Sequence, residues 1–464
     1  MKKNKTKTAY LIGIKGVGMT MLAQTLVSLN YKVIGSDVID TFLTDKALKR
    51  SKIKVLSPYS IENIYKEADL IVYSSAALHN NIELDYILKN KKLFKKSRIL
   101  SYAQALGEIF NKYNGLAVCG SHGKTTVSAW LGFTLKSLDM SPKVLVGSYV
   151  YQFKGATYIG NSKFFIAEVD EYQNKLQYFK PNIVVLNNID FDHPDYFKTK
   201  KDYIKVFADF IKKIPKTGYL IANFDDPQVF KLAKTTKAKV ISYAIESKEK
   251  VDLRASKIEF KNLKQSFLVN EEKFSTKLLG KYNVSNALAV LATLYALKID
   301  LKKAKKILAN FAGTSRRFEL KGYFKNIPVY DDYAHHPSEV KAVLKAFKDM
   351  YPKKRIVCVF HPHTFSRTKA LINDFAQSFF LCDLLGVLEI YPSAREKKIK
   401  LSSLDLIAEI KTENKKKNFK QSIKYLKDFD QSEVWLKKNL KKDDVLILLG
   451  AGDIFRVADR LLKN

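Results

Sequence analysis

Cysteine is scarce in this 464-residue chain: there are three, Cys119, Cys358 and Cys382, far apart and each in an apolar run. That excludes a disulfide framework and predicts reduced, buried thiols in a cytoplasmic setting. Long hydrophobic runs are missing too, since nothing approaches the ~18 uninterrupted apolar residues of a membrane span. The apolar stretch Ala9–Met21 follows a lysine-rich start, but Lys15 and glycines break it and no small-residue cleavage site follows. A secretory leader and membrane insertion are therefore not expected. Acidic residues are few, 46 against 81 Lys+Arg, for a formal charge of +35. The excess is scattered over Lys2–Lys7, Lys89–Lys96, Lys415–Lys417 and Lys437–Lys442. No nucleic-acid module accompanies these runs, so they read as solvated surface compatible with polyanionic small substrates, not as a nucleic-acid interface. Short-period repeats are absent, and the lysine-rich Lys411–Lys420 is the longest low-complexity candidate for a linker.

A hydrophobic fraction of 46% with 12% aromatics provides ample core, and the length predicts about three domains. Strand-like runs alternate with helical ones throughout, which predicts an α/β chain. It divides into a Rossmann-like N-terminal domain (1–112), a central domain with a mostly parallel sheet and a phosphate loop (113–320), and a Rossmann-like C-terminal domain (321–464). Expected strands include Lys32–Ser36, Leu70–Tyr73, Leu116–Cys119, Phe164–Val169, Tyr219–Asn223, Ile327–Asp331, Arg355–Phe360 and Val445–Leu449. Expected helices include Val127–Leu138, Lys200–Lys213, Tyr282–Leu297, Pro337–Met350 and Thr368–Cys382. Residues 251–279 read as a small antiparallel insertion.

The richest stretch is Gly120-Ser121-His122-Gly123-Lys124-Thr125-Thr126, entered from an apolar strand and followed by a helical run. Small residues there let backbone N–H groups face phosphate oxygens, Lys124 can reach the terminal phosphates, and the Thr125 hydroxyl can hold Mg²⁺. Glu168 closes a buried-looking strand, followed by Asp170 and Glu171, and oxygen donors beside a phosphate loop suit a hard cation. His193, bracketed by Asp192 and Asp195, reads either as a further metal ligand or as a loop cap. Near the N-terminus, Gly13, Gly16 and Gly18 make a turn between strand and helix, Asp37 ends the next strand where a ribose is often met, and Ser74 and Ser75 end a third. Asn283 and Asn286 share one helix face and could meet an adenine edge or cap the helix. Arg316 and Arg317 could clamp a phosphoryl group or form an interdomain ion pair. Two histidine-rich loops, Asp331–Pro337 and His361–Thr368, end neighbouring strands and should form one polar crevice. Zinc is not expected there, because no Cys or Glu stands at ligand spacing within either loop.

Taken together, Gly18-Met19, Gly120–Thr126, Asp331–Pro337 and the spacing of His363, Arg367 and Thr368 resemble the Mur ligases of peptidoglycan synthesis, in order and over nearly the whole chain. The resemblance implies a UDP-sugar domain, a central ATPase domain and a third domain that completes the ATP site and receives an amino acid. It implies that ATP activates the lactyl carboxylate of UDP-N-acetylmuramate for attack by L-alanine, with a murein tripeptide as the alternative amine. By position, Lys124 would hold the phosphates, and Thr125, Glu168 and His193 would hold Mg²⁺. Asn283 and Asn286 would face the nucleotide, with Arg316 on its phosphates. Gly13, Gly16, Gly18, Met19, Asp37, Ser74 and Ser75 would serve the UDP-sugar, and Tyr333, His335, His336 and Arg367 the amino-acid end. Two departures stand out: Lys15 replaces a glycine usual in the first turn, and Thr364 stands where many relatives carry arginine.

Overall fold

Three sheets of mainly parallel strands, each covered by helices, make up the computed structural model, which describes residues 6–78, 80–261, 264–392, 396 and 399–463. Of the first lysine run, Lys2, Lys3 and Lys5 lie outside the described residues. Among the described residues no helix is long and apolar enough to cross a membrane.

The first sheet contains β1 (Thr8–Ile12), β2 (Lys32–Ser36), β3 (Lys54–Leu56), β4 (Leu70–Tyr73) and β5 (Arg98–Ser101) in the order β3-β2-β1-β4-β5, all parallel. The strand order reverses at β1, which opens a crevice at its carboxyl end, where the turn Gly13–Gly18 lies. In the second sheet the strands are β6 (Asn114–Cys119), β7 (Lys143–Val150), β8 (Gly155–Ile159), β9 (Phe164–Glu168), β10 (Ile183–Leu186), β11 (Tyr219–Asn223), β12 (Lys239–Ala244), β13 (Leu253–Lys261), β14 (Lys264–Val269) and β15 (Glu272–Thr276). Their order is β15-β14-β13-β12-β11-β10-β6-β9-β7-β8. The predicted insertion is the antiparallel set β13–β15, and β13 pairs parallel with β12, so it extends the central sheet. The third sheet runs β16 (Glu319–Phe324), β17 (Ile327–Asp332), β21 (Asp444–Leu449), β18 (Arg355–Phe360), β19 (Leu384–Leu388), β20 (Ser422–Leu426), with only β16 antiparallel.

The strands nearest the middle of each sheet are apolar on both faces and buried throughout, as Leu116–Cys119, Val184–Leu186 and Val445–Leu449 are. That is the mark of a sheet with helices on both sides. The three cysteines are free and buried in these cores. Two sequence expectations need correction. The helix expected over Thr368–Cys382 is two short pieces, Phe365–Ala370 and Ile372–Ala376, broken at Leu371. The break lets Arg367 follow one anchor toward the central domain while Phe375 and Phe379 stay in the third core. Lys411–Lys416 is not linker: it ends the helix Ser403–Lys416, where lysines in the last turn compensate the carbonyl end of the dipole.

Gly35 on β2 is required by close approach, because a Cβ there would lie 2.5 Å from the Leu11 carbonyl and 2.6 Å from Ile14 Cδ1. Gly35→Ala is expected to cost about 1–3 kcal/mol through overpacking. Urea unfolding should show a lower midpoint at unchanged slope; an unaltered midpoint would disprove the tight packing of β2 against that turn.

Candidate active site

Strand register assembles the first part of the site. Val118 on β6 pairs with Glu168 on β9, and Cys119 pairs with Leu186 on β10, so the loop after β6 emerges between Glu168 and the Asn187–Asn188 pair. The loop bends through Gly120 at φ +123° and Gly123 at φ +78°. A Cβ on Gly123 would meet Asn286 Oδ1 at 2.6 Å and Asn187 Nδ2 at 3.0 Å, so glycine serves both the backbone sign and the space. The following helix, Lys124–Ser137, starts three residues earlier than the apolar pattern suggested. No side chain caps it, which leaves first-turn N–H groups directed at any ligand.

Lys124 Nζ donates to the Gly120 and Ser121 carbonyls at 2.6 and 3.0 Å and to Glu171 Oε2 at 3.1 Å. Burial alone would lower its pKa; Glu171, Asp170 and Glu168 outweigh that and raise it, so the ammonium stays charged. The Thr125 hydroxyl donates to Glu168 Oε1 at 2.9 Å, while Glu168 Oε2 accepts from the Gly147 N–H at 2.7 Å. Asp170, Glu171 and His193 bring one ligand atom each within 4.8 Å of one another. His193 thus sits with Asp170 and Glu171, next to the Thr125–Glu168 pair rather than in it. This donor set, one hydroxyl, carboxylates and a single imidazole, fits a hard divalent cation such as Mg²⁺.

The third sheet closes over this loop through charged contacts. His122 lies between Glu339 Oε1 and Asp190 Oδ2, at 3.1 Å from each. Burial would lower its pKa, but the two carboxylates prevail and raise it to about 9. Arg367 forms a forked pair with Asp192 at 2.8 and 3.2 Å, both groups buried. Ser338 donates to Asp190 at 2.5 Å, and His336 Nε2 meets the Phe191 carbonyl at 3.1 Å. Arg316 donates to Asp331 Oδ2 at 3.1 Å and to the Gly450 carbonyl at 2.5 Å, and stacks over Tyr333 and Phe455. Burial raises both Asp331 and Asp332 to about 6 despite the neighbouring arginines. His335 is pushed down to about 3 by burial and is neutral, with Nδ1 donating to the Tyr333 carbonyl at 2.9 Å.

Two cavities flank the phosphate loop. One of about 640 Å³ is walled by Asn187, Asn283, Asn286, Tyr282, Thr314 and Asp332, among others. Among the described residues, two buried polar atoms on that wall have no partner: Asn187 Oδ1 and Thr314 Oγ1. The other, about 940 Å³, lies where all three sheets meet and is lined by Lys124, Thr125, Glu168, His193, Arg316, Tyr333 and His335 together with Val17, Thr20 and Leu43–Arg50 residues of the first domain. Gly123, Arg317 and Glu339 line both.

Most of the predicted residues are therefore brought together, but not all as expected. Gly13, Gly16, Gly18, Met19, Ser74 and Ser75 are not on either cavity wall; Val17 and Thr20, on the same turn and helix, are. Met19 is core, and Gly18 is pressed against the Tyr102 ring. Asp37 is buried and accepts from the Lys15 N–H, the Val38 N–H and the Tyr59 hydroxyl, so it holds the turn together. His336 and Arg367 lie behind the wall, in the contacts between domains. Asn187, Tyr282, Thr314 and Glu339 carried no assignment from sequence. Glu339 was detectable as the fourth residue of a capping box begun by His336; the others had no local signal.

Family patterns match in the same order as the sheets: "Mur ligase family, catalytic domain" over residues 8–114, "Mur ligase middle domain" over 118–294, and "Mur ligase, glutamate ligase domain" over 316–452. UDP-N-acetylmuramate–L-alanine ligase of Caldanaerobacter subterraneus is 38% identical over 99% of this chain and 98% of its own length. The protein of the same description from Acetivibrio thermocellus is 39% identical, covering 99% and 97%. Among solved structures, UDP-N-acetylmuramate–alanine ligase of Thermotoga maritima superposes with a TM-score of 0.80 at 23% identity, covering 98% of both chains. A murein peptide ligase of Psychrobacter arcticus gives 0.71 at 23% identity with the same coverage.

The His122 contacts predict a pH response. Its folded pKa of about 9 stands above its ordinary 6.5, so the stability it contributes is complete below about pH 6.5 and is lost as pH rises through about 9. Small-angle scattering should show the third domain loosening across that window in the ligand-free protein. In His122→Gln the change should vanish; a wild-type profile flat from pH 6.5 to 9 would refute the assignment.

Proposed function

The chain belongs to the Mur ligase family, and from that premise we infer that it joins the amine of L-alanine to the lactyl carboxylate of UDP-N-acetylmuramate, through an acyl phosphate, with ATP cleaved to ADP and phosphate. It is an ATP-dependent amide-forming ligase of peptidoglycan precursor synthesis. We place it in the cytoplasm, where its nucleotide substrates are. The observation that carries the assignment of the site is the shared wall: the phosphate loop separates a nucleoside-sized cavity from a larger one into which Lys124, Thr125 and Glu168 face.

The residues fit that chemistry step by step. A carboxylate resists attack until one oxygen becomes a leaving group, and the charge that gathers during phosphoryl transfer requires fixed cationic donors. We assign the phosphates to the Gly120–Thr126 loop and Lys124, with Arg316 and Arg317 on the third-domain side. The nucleoside goes to the smaller cavity, against Asn283 and Asn286. The unpartnered Asn187 Oδ1 and Thr314 Oγ1 on that wall support this, since a buried polar atom without a partner is costly and a ligand there would complete it. Thr125 and Glu168 would hold one Mg²⁺, and His193, with Asp170 and Glu171, a second; bound there, the ion supplies neutralisation of phosphate charge.

The lactyl carboxylate oxygen attacks the γ-phosphorus and ADP leaves; the alanine nitrogen then attacks the acyl carbon and phosphate leaves. Neutral His335 presents Nε2 as an acceptor, because its Nδ1 proton is committed to Tyr333, and so can orient the amine. Arg367 would have to leave Asp192 to meet the alanine carboxylate; in the geometry seen it clasps the third domain to the second. As functional units we propose 1–112 for the UDP-sugar, 113–320 for ATP and 321–464 for the amino acid. L-Alanine is preferred over a murein tripeptide because the full-length relatives above 30% identity carry the alanine activity.

Phosphate release with UDP-N-acetylmuramate and ATP should require L-alanine, and Lys124→Ala should lower kcat by about 10²–10³-fold, the scale for loss of one group that stabilises transition-state charge. Turnover with the tripeptide alone would overturn the choice of amine. Undiminished turnover in the variant would overturn the placing of the phosphates.

A further inference from the structure

Lys15, the lysine in place of the usual glycine in the first turn, is 7% exposed and is joined to the larger cavity through Thr44, one of its lining residues. Its ammonium donates to the Val38 and Asp40 carbonyls, at 2.8 Å each, and lies 4.0 Å from Asp45 Oδ1. Its own N–H donates to Asp37 at 2.6 Å, and its carbonyl accepts from the Thr44 hydroxyl at 2.5 Å. One residue thus ties the β1 turn, the end of β2, the loop 38–44 and the start of the helix Asp45–Arg50. Apolar burial cannot hold that loop, since Ile39 and Leu43 are 74% and 80% exposed. Yet the segment it leads into, Leu43, Thr44, Lys46, Ala47, Lys49 and Arg50, forms the first domain's lip of the cavity. Arg50 continues the lip across the domain joint by donating to the Lys154 carbonyl at 2.6 Å.

We propose that Lys15 is a positioning residue for the sugar nucleotide: it touches no substrate, but it pre-orders the segment 38–50 so that binding does not have to order it. The proposal rests on reading the larger cavity as the UDP-N-acetylmuramate site. Ordering a loop on binding weakens affinity without altering chemistry at the reacting atoms. In Lys15→Met the apolar stem remains and the donors are lost. The KM for UDP-N-acetylmuramate should rise about tenfold, with kcat and the KM values for ATP and L-alanine within about twofold.

Amide hydrogen exchange of the full-length protein separates the alternatives. In the wild type, UDP-N-acetylmuramate should slow exchange over 43–50; no slowing would mean that the cavity reading is wrong. In Lys15→Met, exchange over 38–44 should accelerate in the free protein and return on addition of UDP-N-acetylmuramate. If protection over 43–50 is present and the variant keeps its KM, or loses kcat with all KM values unchanged, the positioning role fails while the site stands. Should Lys15→Met not fold, Lys15→Gln answers the same question. Its amide head is shorter and uncharged and cannot reach both carbonyls, so the KM for the sugar nucleotide should still rise severalfold; an unchanged KM there also refutes the proposal.

Discussion

A buried charge must have a partner, and in this protein that constraint shapes the site and its closure together. A site built to hold a triphosphate needs cations out of water, where an isolated charge costs several kcal/mol. Each of them is paired with a carboxylate: Lys124 with Glu171, His122 with Glu339 and Asp190, Arg316 with Asp331, Arg367 with Asp192. The His122, Arg316 and Arg367 sets each join a residue of 113–320 to one of 321–464. The third domain therefore docks on the central one through charges that flank the phosphate loop.

The fold makes that balance possible by stacking the carboxyl ends of three parallel sheets around one space. Loops leave a parallel strand at its carboxyl end, and where the strand order reverses they diverge and leave room. The turns after β6 and β21, near Gly120 and Gly450, meet at the joint of the second and third sheets through Lys124 and Arg316, whereas the turn after β1 reaches the larger cavity only through Val17 and Thr20. The first domain contributes a lip, the second the phosphate loop, carboxylates, Arg316 and Arg317, and the third Tyr333 and His335.

The legible parts of the sequence were those whose chemistry is local. Gly120–Thr126 could be read because a phosphate loop is one continuous stretch with fixed backbone demands. The central strands could be read because double-sided burial leaves unbroken apolar runs. The edge strands β8, β16 and β20 escaped, since half-exposed strands mix polar and apolar residues without a run. At Asp37 the position at a strand end is visible, but the Lys15 N–H and Tyr59 hydroxyl that engage its carboxylate come from distant segments. The family resemblance implies a substrate role for Arg367, but its partner Asp192, 175 residues away, is invisible in the motif.

By itself the sequence determined the order of the domains, the phosphate loop, the family and the expected reaction, because each is encoded in contiguous motifs or in their sequence along the chain. Only the tertiary structure decided which polar groups are free for ligands and which are consumed in holding the site together. Asn187 Oδ1 and Thr314 Oγ1 are left without partners at a cavity wall, whereas Asp37, Lys15 and Arg367 are engaged. The physical reason is that a hydrogen bond or ion pair depends on distance in space, and residue type and spacing state what a group can do but not what already occupies it.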